Sequence, residues 1–171
     1  MPKIPTVKMT NGLELPLFGY GTWQAQDEQQ LKTALKVALE SGYRLIDTAY
    51  AYGNEQIIGE VLQEFYKSGK LKREDVFITT KLPPFNHHPE NVPKSVDEQL
   101  KKLQTDYIDL FLIHTPCPNK GTPTNLFQLD SNGQVIEDPV DHIDTWKSLE
   151  KLYKLGILKS IGLSNFNEQQ I

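Results

Sequence analysis

Apolar residues along the chain fall into two alternating patterns. Short, nearly unbroken apolar runs at residues 18–23, 43–46, 76–80, 107–113 and 157–164 have the character of buried strands. Between them, apolar residues return every third or fourth position, which predicts helices with one buried face. Ahead of the first run, alternation over residues 7–15 surrounds Asn11-Gly12, a dipeptide that accepts positive φ at both central positions of a type I′ turn, so a short opening hairpin is expected.

Each helical stretch carries its own start and stop signals. Leu31, Ala34, Leu35, Ala38 and Leu39 follow Asp27, with Gln30 three residues on, and Gly42 closes the run, as in a capping box and a left-handed stop. Ile57, Ile58, Val61, Leu62 and Phe65 share a face behind Asn54, a suitable cap. Val96, Leu100 and Leu103 follow Pro93, which suits a first helical turn. Ile143, Trp146, Leu149, Leu152 and Tyr153 form the fourth set, ending near Gly156, and residues 167–171 begin a fifth helix. Residues 116–139 are rich in Pro, Gly, Asn and Asp with little periodicity, a long loop.

The second, third and fourth strands begin about 32 residues apart, which fits right-handed strand-helix-strand units and a parallel sheet. The runs are apolar almost throughout, as strands covered on both faces must be. The predicted class is therefore α/β: a TIM-type (β/α)8 barrel, incomplete, with about five of eight strand-helix units plus an N-terminal β-hairpin. One domain over residues 1–171, truncated at the C-terminus, is expected. Such a chain leaves two sheet edges open, and it is read as an incomplete form of one about 300 residues long.

Composition narrows the setting. The 171 residues are 38% hydrophobic and 23% charged, ordinary globular material with enough chain for a sizeable core. Acids outnumber bases 22 to 18, interspersed, so no nucleic-acid footprint is expected. The amino terminus, Met1-Pro2-Lys3-Ile4-Pro5, lacks a leader's apolar run, and no run approaches the ~20 residues of a membrane span. Cys117 is the only cysteine, so an internal disulfide is impossible. A cytoplasmic (cytosolic) protein without membrane partners is expected.

The chemistry concentrates in Asp47-Thr48-Ala49-Tyr50-Ala51-Tyr52-Gly53-Asn54-Glu55, taken with Lys81 and His114 near the ends of two later strands. In a parallel barrel these ends share one rim. A phenol gives up its proton reluctantly at neutral pH, and an adjacent ammonium favours the anion left behind. Asp47 would hold that ammonium charged, and the His114 imidazole could orient a carbonyl oxygen. Taken singly, Asp, Tyr or Lys at a strand end is usually a surface charge. His87-His88 lacks further ligands at metal-binding spacing, so no metal is assigned. Without a G-x-G-x-x-G loop a Rossmann reading fails, and a barrel glycosidase lacks its second strand-end acid.

Gly42-Tyr43-Arg44-Leu45-Ile46-Asp47-Thr48-Ala49, continuing to Tyr52, Glu55, Ile58 and Gly59, resembles a signature of the aldo-keto reductase family. Lys159-Ser160-Ile161-Gly162-Leu163-Ser164-Asn165-Phe166 resembles its second signature. Gly19-Tyr20-Gly21-Thr22-Trp23 and Leu112-Ile113-His114-Thr115-Pro116 match in order and spacing. The resemblance implies an NADPH/NADP-dependent oxidoreductase that reduces aldehydes and ketones to alcohols, with Tyr52 as general acid and Asp47, Lys81 and His114 completing a tetrad. It implies cofactor contacts at Gly21, Thr22, Trp23, Asp47, Ser164 and Asn165, a small-molecule carbonyl substrate and a monomeric full-length form.

Trp23, Tyr50, His114 and Phe127 are the expected substrate wall, with core packing the competing role for Trp23 and Phe127. Thr115 and Pro83 stand where relatives often carry aromatic residues, which leaves substrate preference open. The alternative function is a catalytically silent binding or structural protein on the same scaffold.

Overall fold

Five short strands lie side by side in the order β3 (Gly19–Gly21), β4 (Leu45–Asp47), β5 (Phe77–Leu82), β6 (Leu110–Ile113) and β7 (Ile161–Leu163), and every neighbouring pair is parallel. The computed structural model describes residues 4–171, so Met1, Pro2 and Lys3 of the polar amino terminus lie outside it. Helices α1 (Glu28–Glu40), α2 (Glu55–Lys67), α3 (Val92–Leu103) and α4 (His142–Lys154) connect successive strands. Their side-by-side packing, α1 on α2, α2 on α3 and α3 on α4, repeats the strand order. The predicted barrel-type half-sheet is present in this form.

Periodicity locates the helices because their apolar faces meet the sheet. Leu35, Leu39, Ile58, Leu62 and Phe65 pack with Ile46 and Ile78 of β4 and β5. Val92, Val96, Leu149 and Leu152 pack with Leu82, Phe111 and Ile113 of β5 and β6. Full burial of each such aliphatic side chain stabilises the fold by about 1.5–3 kcal/mol. Asp27 caps α1 as expected, its carboxylate accepting from the Gln30 N–H at 2.8 Å.

Several local expectations are corrected. The opening hairpin pairs β1 (Thr6–Lys8) with β2 (Glu14–Pro16), but Asn11 stays at negative φ and only Gly12 is left-handed, at +87°. The Gly12 N–H donates to Met9 O and the Met9 N–H to Leu13 O. This is a three-residue loop with a left-handed glycine in place of the type I′ turn, and one positive φ suffices for it. The Asn11 amide is thereby free to donate to Lys159 O, 2.9 Å away, beside the start of β7.

Strand starts also move. The fourth apolar run begins at residue 107, yet β6 begins at Leu110. The Asp109 carboxylate takes the Ile78 N–H at 2.9 Å and Arg73 Nη2 at 2.7 Å, replacing a strand-to-strand bond. Ile108 makes only an isolated bridge to Leu158. The 116–139 loop is folded on itself, with antiparallel bridges Asn119 to Glu137 and Leu129 to Val135. Asp130 Oδ1 organises the turn between the latter pair by accepting from the Asn132 and Gln134 N–H groups. Where a fifth helix is expected to begin, Glu168–Gln170 form a 3₁₀ turn capped by Asn167.

Where α2 crosses α3 the backbones touch. A Cβ on Gly59 would run into the Lys102 carbonyl oxygen and the Leu103 backbone. Alanine elsewhere in a helix gains up to about 1 kcal/mol over glycine, but overpacking costs about 1–3 kcal/mol. Gly59→Ala is therefore expected to lower the urea midpoint. A midpoint equal to or above wild type would show that the two helices can separate freely.

Candidate active site

Asp47 closes β4, and the chain then turns through a 3₁₀ segment, Tyr50–Tyr52, that the apolar pattern does not disclose. Gly53 ends the turn at φ +71°, its N–H donating to Tyr50 O. This tight turn presents Tyr52 at the carboxyl rim instead of continuing the strand. Lys81 lies one residue before the end of β5, and His114 directly follows β6. Three adjacent parallel strands thus deliver four functional groups to one rim.

Lys81 is the hub. Its Nζ donates to Asp47 Oδ1 at 2.7 Å, to the Thr48 carbonyl at 2.8 Å and to the Tyr52 hydroxyl oxygen at 3.3 Å. These contacts occupy all three ammonium donors, and the side chain is buried, whereas Asp47 remains partly exposed. An ammonium has no acceptor, so Tyr52 can only receive from Lys81, and its own O–H proton is left to point elsewhere. The Tyr52 and His114 rings meet edge to face, 5.8 Å between centroids. Burial pushes the His114 imidazole below its ordinary range, the Lys81 charge adds to this and Asp47 opposes it. These influences together favour the neutral ring of His114.

The end of β7 is tied to the same rim. The Ser164 N–H donates to Ile113 O, and Asn165 Nδ2 donates to His114 O at 2.8 Å and Ser164 Oγ at 3.0 Å. Asn165 sits at φ +63°, a left-handed position that Asn tolerates better than most residues. Among the described residues, this leaves Asn165 Oδ1 and the Ser164 hydroxyl proton uncommitted.

The β3 end is built differently from its expectation. Thr22 is fully buried; its N–H donates to Asp47 O and its hydroxyl faces Asp47 O and Asn54 Oδ1. Its side chain braces the loop and is not offered to the rim. Gly21 has open space where a Cβ would stand. Asn54 does not cap α2 with its side chain. Its amide instead donates to Thr22 O at 2.8 Å and accepts from Thr48, joining the first two rim loops.

Of the expected substrate wall, Trp23 is 69% exposed and Phe127 51% exposed, so the described residues do not bury either ring in a core. Tyr50 is corrected: its ring is buried edge-on to Phe85, and its hydroxyl donates to Glu98 Oε1 on α3 at 3.1 Å. It faces the helix layer because that carboxylate, itself paired with Lys102, offers a partner. Burial, with the Glu98 charge adding, raises the Tyr50 phenol to about 12. His87 is buried with its ring facing His142, and His88 meets Asp138 at 3.0 Å. Cys117 is exposed.

Sequence reasoning missed the group on the helix side of β5. Glu55 Oε1 accepts from Thr80 Oγ1 at 2.6 Å and Gln99 Nε2 at 2.9 Å, and Gln99 Nε2 also reaches Lys81 O at 3.2 Å. A signal was present: Glu55 shares a helical face with Ile58 and Leu62, and Gln99 shares one with Val92, Val96 and Leu103. A polar residue at a core-facing helical position must find a buried partner.

A parallel half-barrel with its ionisable groups gathered at the carboxyl rim places the chain among (β/α)8-barrel proteins with rim-located sites. It belongs to the aldo/keto reductase family, whose model matches residues 17–171. Aldo-keto reductase family 1 member C13 of Mus musculus is 44% identical over 167 residues, 96% of this chain and 51% of that protein. Member A1 of Xenopus tropicalis is 47% identical, covering 94% of this chain and 49% of its own length. The structure of the aldose reductase from Schistosoma japonicum superposes with a TM-score of 0.92 at 50% identity, covering 98% of this chain and 55% of that one. The chain spans about half the length of the relatives it matches.

Proposed function

We propose that the rim is the proton-donating site of an NADPH-dependent reductase that converts small aldehydes or ketones to alcohols. The observation that supports this most is the contact of Lys81 Nζ with both Asp47 and the Tyr52 hydroxyl oxygen, beside a neutral His114. A bound NADPH supplies the hydride.

The chain's own residues handle the proton. As the carbonyl carbon gains hydride, its oxygen takes the Tyr52 hydroxyl proton, and the phenolate left behind is stabilised by the Lys81 ammonium. Asp47 balances that ammonium when the phenol is neutral. His114, as a neutral ring with one N–H, can donate to the carbonyl oxygen and fix which face the carbon presents. The Ser164 hydroxyl as donor and Asn165 Oδ1 as acceptor form a complementary pair for a carboxamide, so this part of the rim fits a nicotinamide. Gly21 leaves room for close approach, and the exposed Trp23 and Phe127 rings stand as substrate contacts. Thr22 would act by fixing its loop.

The same proposal takes the substrate to be a small carbonyl compound and the full-length form to be a cytosolic monomer, in keeping with modest, interspersed charge. No helix among the described residues is long and apolar enough to cross a membrane.

The test is to mix the protein with NADPH and a panel of aldehydes and follow loss of reduced-nicotinamide absorbance. Turnover is expected. NADPH binding without turnover would overturn the reading and favour a silent scaffold.

A further inference from the structure

We propose that Gln99, anchored by Glu55 and Thr80, is a positioning residue that holds the Lys81 backbone from the helix side of β5; its value to catalysis rests on the function proposed above. The alternation of β5 makes this possible. Successive strand residues face opposite sides, so Lys81 presents its ammonium at the rim while Thr80 turns towards α2 and α3. Gln99, fully buried on α3, turns the two N–H groups of its amide on three oxygens, one N–H being shared: Glu55 Oε1 and Thr80 Oγ1, both at 2.9 Å, and Lys81 O at 3.2 Å. Thr80 closes the triangle by donating to Glu55 Oε1.

No side chain of this cluster hydrogen-bonds Asp47, Tyr52 or His114. Its hydrogen-bonded link to the rim is the carbonyl of Lys81, the residue that carries the ammonium. Lys81 must satisfy three acceptors at once, at 2.7, 2.8 and 3.3 Å, and a shift of a few tenths of an ångström in β5 cannot preserve all three. The cluster is also costly to keep. Glu55 is 2% exposed and its Oε2 has no hydrogen-bond partner, whereas a leucine at that position would bury without penalty. A buried carboxyl with one oxygen lacking a hydrogen-bond partner, tied to the strand position next to Lys81, points to a role beyond core filling.

The experiment is trace acylation of the full chain with acetic anhydride, reading Lys81 against the exposed Lys147 and Lys154 by peptide mass spectrometry. In Gln99→Met, which keeps the volume and loses the donors, Lys81 acylation is expected to rise several-fold while both references stay unchanged. Glu55→Gln, which retains an acceptor for Gln99 and Thr80, should leave Lys81 as protected as in wild type. A folded Gln99→Met with wild-type protection of Lys81 overturns the proposal. Should Gln99→Met not fold, Gln99→Leu, which also removes both donors, carries the same expectation and the same refutation. In the NADPH assay, Gln99→Met should lower kcat about tenfold with KM little changed; looser Lys81 with unaltered kcat would refute the positioning role. Labelling needs no turnover, so an inactive wild type would count against the proposed function while the acylation pattern still decides whether Gln99 holds Lys81.

Discussion

Tyr52→Phe is expected to lower kcat for carbonyl reduction by about 10²–10⁴, the usual worth of a positioned proton donor, with little loss of NADPH affinity. The substitution removes only an oxygen. The Lys81 ammonium keeps two of its three acceptors, Asp47 Oδ1 and Thr48 O, so the rim should stay assembled and the fold intact. What disappears is the single O–H whose proton Lys81 cannot engage, and the phenolate that the ammonium would stabilise. A water admitted to the gap could accept from the freed Lys81 N–H and protonate the product oxygen, but without the fixed position of a phenol, so a residual rate is expected instead of none. Steady-state kinetics with purified wild type and variant decide the matter, and equal kcat in the two would remove Tyr52 from the role of acid.

Glu55→Gln is expected to make the protein more stable in alkaline solution and to change little in acid. Burial raises the Glu55 carboxyl from its ordinary 4.5 to about 7, against the hydrogen bonds from Thr80 and Gln99 and the Lys102 charge, with Glu98 adding to the rise. A raised folded-state value means that the native protein binds the proton more tightly than the unfolded chain does. The contribution to stability is fully present below about 4.5 and is lost as pH climbs through about 7. Glutamine keeps an acceptor for Thr80 and Gln99 and never ionises. Relative to wild type, the variant should therefore gain about 2–3 kcal/mol between about pH 5 and about pH 8. Urea unfolding of both proteins across that range measures it. A constant difference would mean that Glu55 is already charged in the native state or is hydrated.

Much of the architecture could be read from the chain because each helix buries one face against strands buried on both. That arrangement writes a 3.6 period next to apolar runs, and α1, α2, α3 and α4 appear where Leu31, Ile58, Val96 and Leu149 repeat. Strand ends were harder to place because a side chain can replace a ladder bond, as Asp109 does at the Ile78 N–H. The rim was legible for a different reason: Asp47, Lys81 and His114 stand where apolar runs stop, which in a parallel sheet is one place. Tyr50 and Tyr52 were not distinguishable by type or spacing. Only the 3₁₀ turn at Tyr50–Tyr52 sends one ring to α3 and the other to Lys81. Asn54 reads as a cap in sequence, but the nearby Thr22 carbonyl takes its amide and turns it into a loop brace.

The amide of Asn11 grips the Lys159 carbonyl across a separation of 148 residues. A ribosome releases the hairpin early, yet its anchor does not exist until residue 159 has emerged. That tie must therefore wait while the intervening units assemble, and the closure entropy of so distant a contact falls on a late step of folding.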